Sequence, residues 1–196
     1  EAKAGSAQLE IWPPIRLAVV LKGDRTMKYR IEERAQTEFV GLPIRTTNTE
    51  NENLKTIPRF WETKGKDGTV GAMARYCGKL GLLGVCYDYN PADNSFAYAI
   101  AIEKGDFPMS ALPAGCETIE VPASVFAVFE SRGPMPGAIQ KLWKDIYADW
   151  FPSSDYEHAG TPDFESYPEQ DPPELPDDSP EYRTGVWIPL KRKKMF

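Results

Sequence analysis

The stretch "PDFESYPEQ", Pro162 to Gln170, sets the carboxylate of Glu165 between the rings of Phe164 and Tyr167. It reads as a short strand entering a loop. Side chains on a strand alternate, so Glu165 and Tyr167 point one way and Phe164 and Ser166 the other. Each face carries a ring, so neither face is expected to be fully wet. A carboxylate in such surroundings is costly while unpaired. It raises its pKa, holds a neighbouring hydroxyl, or waits for a cation. Rings beside it would each attract a cation by about 0.5–2 kcal/mol. They also give flat apolar area without fixed hydrogen-bond geometry, which suits a permissive small-molecule site.

Other chemistry is poorly provided for. His158 is the single histidine and lies in "SSDYEHAGTPD", read as a loop, so no nucleophile–histidine arrangement is expected. Cys77, Cys86 and Cys116 have no CxxC spacing and, with one histidine, supply no zinc set. They read as reduced, packed thiols of a cytoplasmic protein. "GKDGTVG" lacks the phosphate-loop ending. No metal and no cofactor are expected. The net charge of −6 disfavours direct binding to nucleic acid, and "KRKK" (Lys191 to Lys194) reads as a solvated tail. With 41% hydrophobic and 27% charged residues the composition is that of a globular protein, and no apolar run reaches membrane-spanning length, so no membrane partner is expected. The chain opens "EAKAG" without a methionine and reads as a piece of a longer polypeptide.

The elements that must place Glu165 come in a repeated order. Residues 1–26 read as a linker and a leading strand, "IRLAVVLKG". "MKYRIEERAQTEFVGLPIRT" gives one or two strands. A helix is expected to enter at Ile57, with Pro58 in its first turn, carrying Trp61. "LGVCYDY" and "FAYAIAIEK" form a hairpin around "NPADNS". Then "CETIEVPASVFAVFES" is strand-like, and "PGAIQKLWKDIYADWF" is the clearest helix. Its stripe of Ala138, Ile139, Leu142, Trp143, Ile146, Tyr147 and Trp150 has helical spacing. "PDFESY", a long acidic loop and "YRTGVWIPLKR" close the chain. Strand, helix, strand, strand thus occurs twice, at an offset of about 80 residues. The fold class expected is α+β: duplicated βαββ units about a pseudo-two-fold, forming an antiparallel sheet with helices on one side and a central cleft. The halves span about 27–105 and 116–196. Letter-by-letter alignment sets Trp61 over Trp143, and Tyr87 over Glu165.

In "YRIEE…FVGLPIRT", "IPRFW", "LPAGCETIEVPASVFAVFESRG…IQKLW" and "DFESYP…EYRTGVWIPLKR" the chain resembles the GyrI-like effector-binding domain, the ligand-sensing part of AraC-type and some MerR-type transcription regulators. The similarity runs from Met27 to Lys193. It implies two βαββ halves clasping a pocket. It further implies a glutamate at the pocket floor that meets cationic, lipophilic ligands, at Glu165 here, and a tyrosine at the start of the last strand, Tyr182. Tyr87 is expected to face Glu165 from the other half and hold it. Core packing is the default reading for Trp61, because it lies on the apolar stripe of its helix, and it is kept as a ligand contact that reaches the cleft edge. Trp187 is kept as a ligand contact, although alternation puts it on the opposite face from Tyr182. The implied partner is a small-molecule effector, with DNA reached only through a helix-turn-helix domain outside this chain. The sequence carries no signal for the oligomeric state. Two other activities follow from the resemblance: hydrolysis of strained cyclopropane-type compounds, with Glu165 as general base, and binding of a protein partner.

Overall fold

The computed structural model describes residues 15–16 and 27–194. In chain order it contains β1 (Ile15–Arg16), β2 (Tyr29–Arg34), β3 (Thr37–Thr47), α1 (Asn53–Lys66), α2 (Thr69–Ala74), β4 (Leu82–Asn90) and β5 (Ser95–Glu103). Then follow β6 (Glu117–Val121), β7 (Ser124–Arg132), α3 (Gly137–Asp145), β8 (Tyr156–His158), β9 (Asp163–Tyr167) and β10 (Arg183–Arg192). The proposed linker and most of the leading strand lie outside the described residues.

The strands form one sheet in the order β1-β2-β7-β10-β9-β4-β5-β3-β6, with β8 added beside β10, and every pair of strands is antiparallel. From the central pair β9–β4 outward, each side repeats the other. The two βαββ units are β3-α1-β4-β5 and β7-α3-β9-β10, joined edge to edge where β4 meets β9. Each unit is also preceded by one more strand, and these two are exchanged: β2 pairs with β7, and β6 pairs with β3. The strand-like stretch 116–131 breaks at Pro122, which cannot donate to a ladder, and so yields β6 and β7 rather than one strand.

Alternation along β5 builds both layers of the core. Ala97, Ala99 and Ala101 face one way, and Phe96, Tyr98, Ile100 and Ile102 the other. The small side lets the sheet curl on itself, so that Phe39, Phe126, Phe164 and Trp187 meet inside the curl. Gly41 is needed there, since a Cβ at that position would lie 2.6 Å from the Cβ of Ala101. On the outer face α1 and α2 cover one half around Tyr98 and Ile100, and α3 covers the other around Ile146 and Ile188. The helix carrying Trp61 starts one turn earlier than Ile57, so Pro58 sits inside α1 rather than in its first turn. The helix of the second half continues from α3 through a π-helical turn, Ile146–Trp150, which keeps Ile146 and Trp150 buried.

Candidate functional site

Between α1 and α3 the outer face of the sheet is left open as a cleft of about 1370 Å³. Its floor is the junction of β9 and β4. Asp163 and Glu165 on β9, and Cys86 on β4, point into it beside Tyr98 of β5. Trp61 and Trp143 come down from the helices on either side, and Tyr167 and Tyr182 close one end. Leu54, Tyr89 and Tyr147 line the mouth and are 45%, 54% and 52% exposed. Three exposed apolar side chains at one rim provide a lipophilic entrance.

Glu165 is the centre of this arrangement. It is buried, with 8% of its surface exposed. Trp143 Nε1 donates to its Oε1 at 2.6 Å, and Tyr167 Oη and Tyr98 Oη donate to its Oε2 at 2.7 and 3.3 Å. Trp61 Nε1 in turn donates to Tyr98 Oη at 2.7 Å. Burial pushes the Glu165 carboxyl above the ordinary 4.5; the bonds from Tyr167, Trp143 and Tyr98 hold it down, and Asp163 adds a further push upward. Gly84 stands opposite Glu165 in the ladder. A Cβ there would fall 2.2 Å from Tyr98 Oη and 2.8 Å from Glu165 Oε2, so only glycine leaves room for this network.

Asp163 lies one strand repeat away on the same face, beside Cys86. His158 Nε2 is 2.9 Å from Asp163 Oδ2, and the Gly160 N–H donates to His158 Nδ1. That second bond assigns the ring proton to Nε2, so the histidine is a neutral donor to Asp163. His158 is not in a plain loop. It ends β8, which pairs with β10 and leads through residues 159–162 into β9, and its imidazole lines the cleft. Burial, followed by the charges of Asp163 and Glu165, pushes the Cys86 thiol well above its usual value, which makes it a poor nucleophile.

The structure places Glu165, Tyr87, Tyr182 and Trp61 around one cavity. Trp187 is placed elsewhere, and Tyr87 lines the cavity without meeting Glu165. Tyr87 touches the cavity wall near the β4 bulge, but its side chain alternates to the inner face of the sheet and its hydroxyl donates to Glu117 at 2.6 Å. It does not hold Glu165. Aligning Tyr87 with Glu165 slipped the register by an odd number of residues, and such a slip reverses the face. Trp187 is 2% exposed, stacks on Phe164 at 5.2 Å, and donates to Ser166 inside the curl. The guanidinium groups of Arg30 and Arg34 each lie 5.3 Å from its ring. It is a core residue on the face away from the cleft.

Tyr98, Trp143 and Asp163 belong to the site and were not singled out for it. Tyr98 had a usable signal: in "FAYAIAI" it is the sole polar tip among apolar side chains, and a buried hydroxyl needs a partner. Trp143 had another, as the counterpart of Trp61 in the repeat.

The profile of Cass2, described as integron-associated effector binding protein, matches residues 30–190. The chain belongs to the Cass2 family. YobU of Bacillus subtilis (strain 168), a candidate transcriptional regulator, is 29% identical over 131 residues, 66% of this chain and 79% of YobU. The structure of SAV2435 bound to tetraphenylphosphonium superposes with a TM-score of 0.70 at 23% identity, over 84% of this chain and 94% of that one. The integron cassette protein VCH_CASS2, from the mobile metagenome of Vibrio cholerae, gives 0.60 at 19% identity, over 83% and 95%. The Cass2 and GyrI-like effector-binding fold is thus the fold of this chain. Among the described residues, no helix is long and apolar enough to cross a membrane, and no group of three or more potential ligands is placed to hold a metal ion.

Proposed function

We propose that this chain is the ligand-sensing domain of a transcription regulator and binds small, lipophilic cations in the cleft around Glu165. The observation that carries this is a buried carboxylate with three hydrogen-bond donors and no cationic partner among the described residues, at the floor of an aromatic cavity. A charge so placed retains a net attraction for a cation, and the rings supply the rest of the surface. The donors are tryptophan and tyrosine, which orient the carboxylate without neutralising it. The name given to YobU supports a regulatory setting, and the ligand of SAV2435 supports the class of effector. Three unpaired cysteines fit a reducing cytoplasm. Ligand binding would act on transcription by favouring one arrangement of an attached DNA-binding domain.

Two tryptophans in the cleft walls make the test direct. Tetraphenylphosphonium titrated into the protein is expected to change tryptophan fluorescence saturably and to raise the melting temperature. At a hundred times its Kd the added stability is about 2.7 kcal/mol. A neutral compound of similar size, triphenylphosphine oxide, is expected to act at much higher concentration. Equal response to both compounds, or response to neither, rejects the proposal.

A further inference from the structure

The structure assigns the cleft a second cationic subsite at Asp163, which fits it for lipophilic dications whose charges lie about 7 Å apart. The inference rests on the reading of the cleft as a cation site. It goes beyond that reading in naming another anchor and the spacing of charge that the ligand must have.

Asp163 and Glu165 are two residues apart on one strand and share a face, so they repeat at about 6.5–7 Å. Both line the same cavity. The remaining acids of the lining are differently placed. Asp88 pairs with Arg45, and Glu62 with Lys66, both at the exposed rim, and Asp177 is exposed to solvent in the loop beside Tyr182. Asp163 and Glu165 have no such partner among the described residues. The one group within ion-pair distance of Asp163 is His158, which the Gly160 hydrogen bond marks as neutral. Its Oδ1 is buried and meets no N–H or O–H donor, and the Cys86 thiol is the side chain within hydrogen-bonding reach of this carboxylate. The lining contains a single ammonium, Lys144, and it is paired with neither carboxylate.

Two carboxylates close together in an apolar cleft repel one another and lack the solvent that would screen them. One cation at Glu165 relieves half of this. The other half is relieved by a second positive centre over Asp163, at the end of the floor bounded by Cys86 and Tyr147. A rigid strand fixes the spacing, so Asp163 would select ligands by the distance between their charges. A bis-quaternary ammonium compound with apolar ends has this chemistry.

The test uses alkane-bis(benzyldimethylammonium) salts with linkers of about three to eight methylenes, a range that brackets the strand repeat. Each is compared with the alkyl(benzyl)dimethylammonium salt of equal chain length by calorimetric titration. In the wild type, dications with nitrogens about 7 Å apart are expected to bind at least about tenfold more tightly than their monocations, with shorter and longer linkers falling away. Asp163→Asn is expected to bring that ratio near one and flatten the dependence on length. Glu165→Gln is expected to weaken both classes. The wild-type length series stands without any variant, so misfolding of Asp163→Asn would not leave the question open. Equal binding of mono- and dications that is still weakened by Glu165→Gln overturns the second subsite and leaves the first reading intact. A preference for dications that survives Asp163→Asn also overturns it. Binding that is indifferent to Glu165→Gln overturns both.

Discussion

Replacing Glu165 by glutamine is expected to weaken tetraphenylphosphonium binding by about thirtyfold or more, while leaving the fold in place. The size follows from the setting. Removing one member of a buried charge pair costs about 2–5 kcal/mol, and 1.4 kcal/mol is a factor of ten. The fold should survive because glutamine fills the same volume and can meet the same neighbours. Its oxygen can accept from Trp143, and its amide can donate to the Tyr167 hydroxyl, which rotates to receive it. The substitution also removes a buried charge from the empty cleft. Unfolding midpoints in urea should therefore differ from wild type by no more than about 1 kcal/mol. A variant that lost binding only because it unfolded would show itself there.

Phe164→Ala should do the reverse, lowering stability by about 3–5 kcal/mol. Phe164 is fully buried where the sheet curls on itself. Its ring meets Phe39 edge-on at 5.0 Å and Phe126 at 5.6 Å, and stacks on Trp187 at 5.2 Å. Four strands lie in that contact: β3, β7, β9 and β10. Their rings cannot close the gap, because each is itself fixed by packing inside the curl. Urea unfolding should show a lower midpoint with an unchanged slope. A loss below about 1 kcal/mol would mean that the curl is held elsewhere, at the Arg34–Glu103 pair or the β3–β6 ladder. Phe164 also precedes Glu165 directly, so the residue that fixes the strand within the core sets the height of the carboxylate on the other face.

Much of this was legible in the residues themselves. The repeat of strand, helix, strand, strand was visible because both helices carry a tryptophan on an apolar stripe and both hairpins have strong turns. Glu165 stood out as an acid between two rings on a short strand, which equally suits a paired strand glutamate, and the resemblance to the GyrI-like domain is what marked it as the pocket anchor. The partners of Glu165 were harder to read, since they come from β5, α3 and β9, and only the sheet order brings these together. The contact expected between Tyr87 and Glu165 failed on an odd shift, which letters alone do not reveal, because "CYDY" and "FESY" align equally well by eye while their alternation differs. The exchange of β2 and β6 between the halves was hidden as well. Nothing in a strand's own residues says which of two similar edges it will join. β8 is three residues long and escaped notice, and with it the setting of His158.

The measurement that bears most directly on the cleft is the affinity for tetraphenylphosphonium as a function of pH, in wild type and in Glu165→Gln. Burial raises the Glu165 carboxyl above 4.5 in the empty protein, so protonation begins at a higher pH than for an ordinary glutamate. The sign for stability follows. Between the unfolded and folded values the folded state holds more protons, so this group's contribution is greatest at low pH and falls as pH rises through that window. The sign for binding is opposite, because the cation needs the carboxylate. Wild-type affinity should be constant at high pH and fall about tenfold per unit once the pH drops below the raised value, while Glu165→Gln binds weakly and shows a much flatter profile. Parallel profiles of equal affinity in the two proteins would contradict the account, and would place the cation, if it binds at all, away from Glu165.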